Sequence, residues 1–264
     1  MSGNGHEALA PPALELRGVR LAFRGVNVLD GIDLTVRRGD FLAIIGPNGG
    51  GKTVLLKVCV GLLEPDAGTV RVFGRKPAEV HGLMAYVPQY PQFELDYPIR
   101  ALDVVLMGRL SGGRWVGPYR EADVREARRA LEQMGVADLA DRQVRRLSGG
   151  QLQRVLIARG LAVEAPLILL DEPTASLDAR IVGDFYERLA ALAEGGRAIV
   201  LVSHDIGIIS QYVKTVACLN RRLHYHHARE VTREMIEEAY GCEVDFITHA
   251  HTHRVLRDHP RAED

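Results

Sequence analysis

The chain has 264 residues, of which 47% are hydrophobic and 25% charged, with a formal net charge of -1. This length suits one large α/β domain with or without a small appendage, and the charge gives no reason to expect a nucleic-acid partner. Its apolar runs are far shorter than the roughly 20 residues that cross a bilayer. Three scattered cysteines, Cys59, Cys218 and Cys242, indicate reduced thiols rather than a disulfide framework.

The first 36 residues predict a tail followed by two strands. Residues 1–13 lack a basic region followed by an apolar core, so we expect a flexible tail and no signal peptide. Residues 14–21 and 32–36 have strand composition, and the Asp30-Gly31 dipeptide between them predicts the connecting turn.

The rest of the chain alternates predicted strands and helices. Residues 41–45 form a continuous apolar run that predicts a buried strand, and residues 53–63 then predict a helix. Residues 98–161 are predicted to be mostly helical, and residues 167–170 and 198–202 predict two more buried strands. This order indicates a parallel sheet covered on both faces, with a helical subdomain inserted between two of its strands.

A glycine-rich segment between the first buried strand and its helix fits the pattern G-x-x-x-x-G-K-[ST] through Gly46, Pro47, Asn48, Gly49, Gly50, Gly51, Lys52 and Thr53. Glycines let backbone N–H groups point at a phosphate, and the helix presents its positive end to the same anion. We expect Lys52 to reach the β- and γ-phosphates and the Thr53 hydroxyl to hold magnesium. A glycine-rich turn with a chance lysine is the weaker interpretation, because a strand precedes the segment and a helix follows it.

Two carboxylates, Asp171 and Glu172, follow the second buried strand. Open α/β sheets bind ligands beyond the carboxyl ends of their strands. We therefore expect Asp171 to hold magnesium through water and Glu172 to polarise the attacking water as general base. Taken alone, such a pair would more often be solvent-facing acids at a strand end, but the phosphate-binding pattern upstream favours nucleotide chemistry.

A further segment precedes this acidic pair and consists of Leu147, Ser148, Gly149, Gly150 and Gln151. In chain order, GPNGGGKT, VPQ, LSGGQ, LILLDEP, SLD and SHD resemble the ATP-binding subunits of ABC transporters over about residues 14–225. The resemblance implies a P-loop NTPase fold: a RecA-like core, an antiparallel β-subdomain and an inserted helical subdomain at about residues 98–161. Residues 226–264 would form a histidine-rich C-terminal extension. The resemblance also implies that the cofactors are ATP and Mg²⁺.

The resemblance assigns a role to individual residues of the ATP site. Phe23 matches the aromatic side chain that stacks on adenine, and Val54 replaces a hydroxyl that often touches the α-phosphate. Gln89 matches the glutamine that contacts magnesium and water, and His204 matches the histidine that contacts the γ-phosphate. The catalytic set so implied is Glu172, His204 and Gln89. The implied magnesium ligands are Thr53, Gln89 and Asp171.

Other matched residues imply that two chains share each site. Residues 147–151, which we call the signature segment, match residues that contact the ATP held by a second subunit. Ser148 is a good N-cap residue, so the helix after it would offer its positive end to a phosphate. Asp178 matches a loop that crosses the dimer interface. A homodimer of ATP-binding subunits is therefore expected.

Less specific segments indicate the type of transporter. Residues 86–89, 97–99, 103–109 and 216–224 resemble zinc and manganese importers, and residues 240–249 with 253–256 resemble the zinc-type branch. This implies a subunit that energises import of a divalent metal through a separate integral membrane permease. The metal would arrive from an extracytoplasmic binding protein, and the chain would lie in the cytoplasm, peripheral on the inner face of the cell membrane. The alternatives are a soluble ABC ATPase, for example of iron–sulfur cluster assembly, and an importer of an iron chelate.

Two further features leave alternatives open. Aromatic residues Tyr90, Phe93 and Tyr97 predict a docking segment for the permease, unless they cap the domain's own core. Seven of the ten histidines lie at His224, His226, His227, His249, His251, His253 and His259. They indicate either a solvated tail without a metal role or a tail that binds the transported metal.

Overall fold

The structure of the chain is a computed structural model that describes residues 10–89, 98–110, 118–175, 179–204 and 211–226. Its smaller sheet consists of β1 (Leu14–Phe23), β2 (Val26–Val36) and β4 (Ala67–Val72). The sheet is antiparallel, in the order β2-β1-β4. Ala13, at the end of the predicted tail, is buried, and its carbonyl accepts a hydrogen bond from the N–H of Phe73. Ordered packing therefore begins before β1.

The predicted turn at Asp30-Gly31 is wrong. The hairpin turns at Arg24 and Gly25, whose φ angles of 49° and 81° are both positive, as a tight two-residue turn requires. Gly31, with φ 71°, instead lies inside β2. Between the pairs Val19–Ile32 and Leu21–Leu29, β2 contains one residue more than β1, so the Asp-Gly dipeptide forms a β-bulge.

The larger sheet carries the strands predicted as buried. It contains β3 (Phe41–Ile45), β5 (Met84–Val87), β6 (Leu167–Asp171), β7 (Ala198–Val202), β8 (Thr215–Asn220) and β9 (Arg222–His226). Their order is β5-β6-β7-β3-β8-β9, and all pairs are parallel except β8–β9. The predicted parallel sheet is confirmed.

Both faces of this sheet are covered, which explains the continuous apolar runs. In β3, Phe41, Ala43 and Ile45 pack on the side of the helices that lie within residues 101–162, which we call the helical segment. Leu42 and Ile44 pack on the side of the smaller sheet. Burying one such large side chain stabilises the fold by about 1.5–3 kcal/mol. A strand buried on both faces has no room for polar alternation.

The helices are α1 (Lys52–Cys59), α2 (Ala101–Met107), α3 (Glu121–Gln133), α4 (Gly149–Ala162) and α5 (Ala179–Glu194). The predicted extension of α1 to residue 63 is wrong. Gly61 has φ 77°, and the N–H groups of Gly61 and Leu62 bond back to Val58 and Lys57. This is a Schellman motif, which ends a helix at a left-handed glycine.

Helices α2, α3 and α4 stand in the chain between β5 and β6 and pack on one another. Arg109 ties this segment together: its Nη1 donates to the carbonyl of Ala162 at 2.6 Å, and its Nε donates to Asp123 at 3.2 Å. From α5, Arg188 donates to the C-terminal carbonyl of Gln133 in α3 at 3.0 Å. Among the described residues, no helix combines the length and the hydropathy needed to span a membrane.

Candidate functional site

The glycine-rich loop lies between β3 and α1, as predicted, and it is enclosed by backbone on two sides. Gly46 has φ 151°, and a Cβ atom there would overlap the carbonyl oxygen of Leu219. Gly51 has φ 97°, and a Cβ atom there would lie 2.9 Å from the carbonyl oxygen of Val28. The loop therefore needs glycine at both positions because β2 and the end of β8 approach it so closely.

Substituting Gly46 tests this enclosure. We expect Gly46→Ala to lower the free energy of unfolding by roughly 3–5 kcal/mol, because it combines a strained φ with overlap against backbone. Gly49 is a matched control: its φ is 79°, but a Cβ atom there meets nothing within 4 Å. Gly49→Ala should cost only about 1–2 kcal/mol. Urea unfolding of both variants measures the difference, and equal losses would contradict the close packing of Gly46.

Lys52 begins α1 and folds back over the loop. Its Nζ donates to the carbonyls of Gly46 at 2.7 Å and Pro47 at 3.0 Å. Burial lowers the pKa of Lys52, and the nearby carboxylates of Glu172 and Asp171 oppose that shift. An ammonium group has three N–H donors, and the two carbonyls of the loop hold it in place beside the loop. An anion bound to the loop N–H groups would therefore also contact the Lys52 ammonium.

The two predicted carboxylates lie at the C-terminal end of β6. Asp171, at the end of the strand, is only 1% exposed, and its Oδ1 accepts a hydrogen bond from the Thr53 hydroxyl at 3.2 Å. Burial raises the pKa of Asp171, whereas the hydrogen bond from Thr53 lowers it. Glu172 turns out of the strand with a positive φ of 46°, and its N–H donates to the carbonyl of Val202 in β7 at 3.0 Å.

Glu172 and His204 are in direct contact. The Oε2 of Glu172 lies 2.7 Å from the Nδ1 of His204, which stands two residues after the end of β7. The Glu172 side chain is 9% exposed and the His204 side chain 64% exposed. His204 therefore contacts the Glu172 carboxylate from the solvent side.

A cavity of about 380 Å³ joins these elements at the carboxyl end of the sheet, and its lining residues are Val28, Asn48, Gly49, Gly51, Lys52, Thr53, Val54, Gln89 and Glu172. The structure therefore brings together the loop, the candidate general base and Gln89, as predicted. The donors present also fit magnesium. The Thr53 hydroxyl and the Asp171 carboxylate are hard oxygen ligands, and proteins bind Mg²⁺ with one or two carboxylates plus substrate phosphates.

The signature segment lies elsewhere. Ser148 is the N-cap of α4, as predicted: its hydroxyl accepts from the N–H of Gln151 at 3.3 Å, and its own N–H donates to the Gln151 side chain at 3.0 Å. None of residues 147–151 is among the described residues that line the cavity. Within one chain, the helix end offered by the signature segment and the phosphate loop do not form one pocket.

Several predicted residues are not brought to the cavity or lie outside the described residues. Phe23 ends β1 beside the hairpin turn and is 45% exposed, and it is not among the described residues that line the cavity. Asp178, the aromatic residues Tyr90, Phe93 and Tyr97, and all histidines from His227 onward lie outside the described residues. In the part of the chain that is described, no cluster of three or more His, Cys, Asp or Glu side chains suits a metal ion.

Three contacts at the site were not predicted from the sequence. Val28 lines the cavity, and the hydroxyl of Tyr86 donates to the Oδ2 of Asp171 at 3.4 Å. The N–H of Arg221, in the turn between β8 and β9, donates to the carbonyl of Gly50 in the phosphate loop at 3.2 Å. A single valine, tyrosine or turn residue carries no spacing signal, so only the folded chain reveals these contacts.

Comparison with known proteins agrees with this geometry. The family model described as "ABC transporter" matches residues 29–175. The chain is 38% identical over 231 residues to the zinc transport system ATP-binding protein TroB of Treponema pallidum (strain Nichols), covering 87% of each chain. It is 36% identical over 236 residues to the manganese transport system ATP-binding protein MntB of Bacillus subtilis (strain 168), covering 89% of this chain and 94% of MntB.

A solved structure gives the same result for the fold. A metal-chelate type ABC transporter in an inward-facing conformation matches with a TM-score of 0.80 and 27% identity, over 94% of this chain and 98% of the other. The P-loop NTPase fold, with its antiparallel and mixed sheets, is therefore confirmed. The family match and the two relatives cover the loop, the acidic pair and the signature segment together. The chain therefore belongs to the ABC transporter family, as one of its ATP-binding, ATP-hydrolysing subunits.

Proposed function

We propose that this subunit energises the import of a divalent metal ion, zinc or manganese, through a separate integral membrane permease. The observation that carries the proposal is the cavity at the carboxyl end of the larger sheet, where Lys52, Thr53 and Glu172 meet. The cargo follows from the relatives, which are named for zinc and for manganese transport.

The chain's own residues suit ATP hydrolysis. The N–H groups of the loop and the Lys52 ammonium would bind the phosphates of ATP. Thr53, Asp171 and Gln89 would hold Mg²⁺, which supplies positive charge that offsets the charge on those phosphates. Glu172 would take the proton of the attacking water, and its 2.7 Å contact with His204 keeps the carboxylate oriented.

The separate location of the signature segment supports a dimer with shared sites. Ser148 caps an exposed helix end at α4, and a helix N-terminus with free N–H groups attracts anions. In a homodimer, residues 147–151 of one chain would close over the ATP held by the other. Phe23, exposed at the hairpin, would stack on the adenine, and Asp178 would lie at the interface.

The subunit would work with partners on both sides of the cell membrane. The subunit would bind a permease from the inner face of the cell membrane, and an extracytoplasmic metal-binding protein would deliver the metal on the other side. The domain limits follow the same scheme: a nucleotide-binding domain over residues 14–225 and a histidine-rich extension over residues 226–264.

A second cargo is favoured by one observation. The matched solved structure is described as a metal-chelate type transporter, so an iron chelate is the alternative to a bare divalent cation. A soluble ABC ATPase, such as one of iron–sulfur cluster assembly, would need no membrane partner. The presence of a membrane partner would therefore distinguish both importers from it.

Uptake measurements in the host cell test the cargo. Cells lacking this subunit are expected to accumulate less ⁶⁵Zn or ⁵⁴Mn than wild type, with recovery on expression of the intact chain and none on expression of Lys52→Ala. Uptake of an iron chelate, measured in parallel, separates the two cargoes. A tagged chain should also co-purify from detergent extracts with a polytopic membrane protein. Unchanged zinc and manganese uptake with no membrane partner would contradict the proposal.

A further inference from the structure

Tyr86 stands in β5 and has no role in the mechanism above. It pairs in register with Leu169 of the neighbouring parallel strand, two residues before Asp171. Residues in register on parallel strands, and residues two apart on one strand, point to the same face of the sheet. Tyr86 and Asp171 therefore share the face that carries α1 and the phosphate loop.

The length of the tyrosine side chain matters for this contact. Two residues along a strand span about 6–7 Å, so a short side chain at position 86 would stop before the carboxylate. The Tyr86 hydroxyl reaches it and donates to Asp171 Oδ2 at 3.4 Å. Its ring meanwhile packs against the core cluster between the two sheets.

The two oxygens of Asp171 thus have different partners. Thr53 donates to Oδ1 at 3.2 Å and Tyr86 donates to Oδ2. The last torsion of an aspartate side chain is broad, so the plane of its carboxylate is set by hydrogen bonds rather than by rotamer preference. In a buried position, the two hydroxyl groups together fix which oxygen faces Thr53 and the cavity.

We propose that Tyr86 is a positioning residue for magnesium, because it holds the Asp171 carboxylate in the orientation that presents Oδ1 to the site beside Thr53. The proposal rests on the proposed function, in which Asp171 and Thr53 hold Mg²⁺. Partners of this kind, which orient a metal ligand without touching the metal, typically change metal affinity by 10–100-fold when they are removed.

The test uses the full chain and measures metal binding directly. Mn²⁺ serves as a paramagnetic substitute for Mg²⁺, and its Kd is measured by electron paramagnetic resonance in the presence of ADP. Tyr86→Phe keeps the ring and deletes only the hydroxyl. We expect its Kd for Mn²⁺ to rise about tenfold, at the lower end of such effects because the hydrogen bond is long. Its affinity for ADP in EDTA should stay within about twofold of wild type, because the phosphate loop is unchanged.

Tyr186→Phe is the matched control. The Tyr186 hydroxyl lies 3.4 Å from the Thr174 hydroxyl, the same length as the Tyr86 contact, and Tyr186 is fully buried. Deleting the Tyr186 hydroxyl should leave the Kd for Mn²⁺ at the wild-type value, even if the deletion lowers the melting temperature. A lower melting temperature of Tyr86→Phe with unchanged Mn²⁺ affinity would show that the Tyr86 hydroxyl only stabilises the fold, and would overturn the positioning role.

The outcomes separate the two proposals. If wild type with ADP binds Mn²⁺ and Tyr86→Phe binds it equally well, the positioning role of Tyr86 is overturned and the proposed function stands. If wild type with ADP binds no Mn²⁺, the magnesium site of the proposed function and the role of Tyr86 are overturned together. A tenfold loss in Tyr86→Phe with a normal Tyr186→Phe supports the inference.

Discussion

Replacing Glu172 by glutamine is expected to slow ATP hydrolysis at least ~100-fold, the usual size of a general-base effect, while ATP still binds. The amide keeps the shape and the hydrogen-bonding reach of the carboxylate toward His204, which lies 2.7 Å away in the wild type. It cannot accept the proton of water. Lys52, Thr53 and the loop are unchanged, so ATP affinity should be preserved and an ATP-bound dimer should accumulate.

The measurement combines single-turnover hydrolysis with light scattering in ATP. Glu164→Gln is a suitable control, because Glu164 is a carboxylate that follows α4 and is paired with Arg109 at 2.7 Å. The variant undergoes the same chemical change at a residue outside the described lining of the cavity and should hydrolyse ATP at the wild-type rate. A wild-type rate in Glu172→Gln would refute the assignment of Glu172 as general base.

Mixing two inactive variants is expected to restore activity if each site combines residues of two chains. Lys52→Ala removes the ammonium from the phosphate loop, and Ser148→Arg fills the exposed helix end of the signature segment. Homodimers of either variant have two defective sites. A heterodimer has one site with both defects and one site with neither. A mixture of equal amounts should therefore regain up to about one quarter of the wild-type rate, since half of the dimers are mixed.

Dilution provides the complementary measurement. The wild-type rate per chain should fall at concentrations below the Kd of the dimer, because a monomer lacks the second chain's signature segment. The control is Arg17→Gln, which removes an exposed ion pair with Glu15 at 2.8 Å on the smaller sheet. It should follow the wild-type dilution curve. Full activity of the isolated monomer at any dilution would exclude shared sites.

Several local features of this protein could be predicted from its sequence. Gly46 and Gly51 have positive φ angles, which glycine adopts readily, so the loop pattern predicted the turn between a strand and a helix. Strands were predicted at residues 41–45, 167–170 and 198–202, and strands lie there in the structure, because burial on both faces leaves a continuous apolar run. Ser148 was predicted as an N-cap because its hydroxyl satisfies a backbone N–H three residues away.

Contacts between distant segments were decided only by the tertiary structure. Asp30-Gly31 has the composition of a turn, yet it forms a bulge in which Asp30 pairs with Arg222, 192 residues away. The strand order β5-β6-β7-β3-β8-β9 depends on parallel pairings that no local pattern specifies. The hydrogen bond of Thr53 to Asp171 spans 118 residues, and that of Tyr86 to Asp171 spans 85. Sequence motifs name the groups that do chemistry, but the residues that orient them contribute single side chains from unrelated positions, and only folding brings those together.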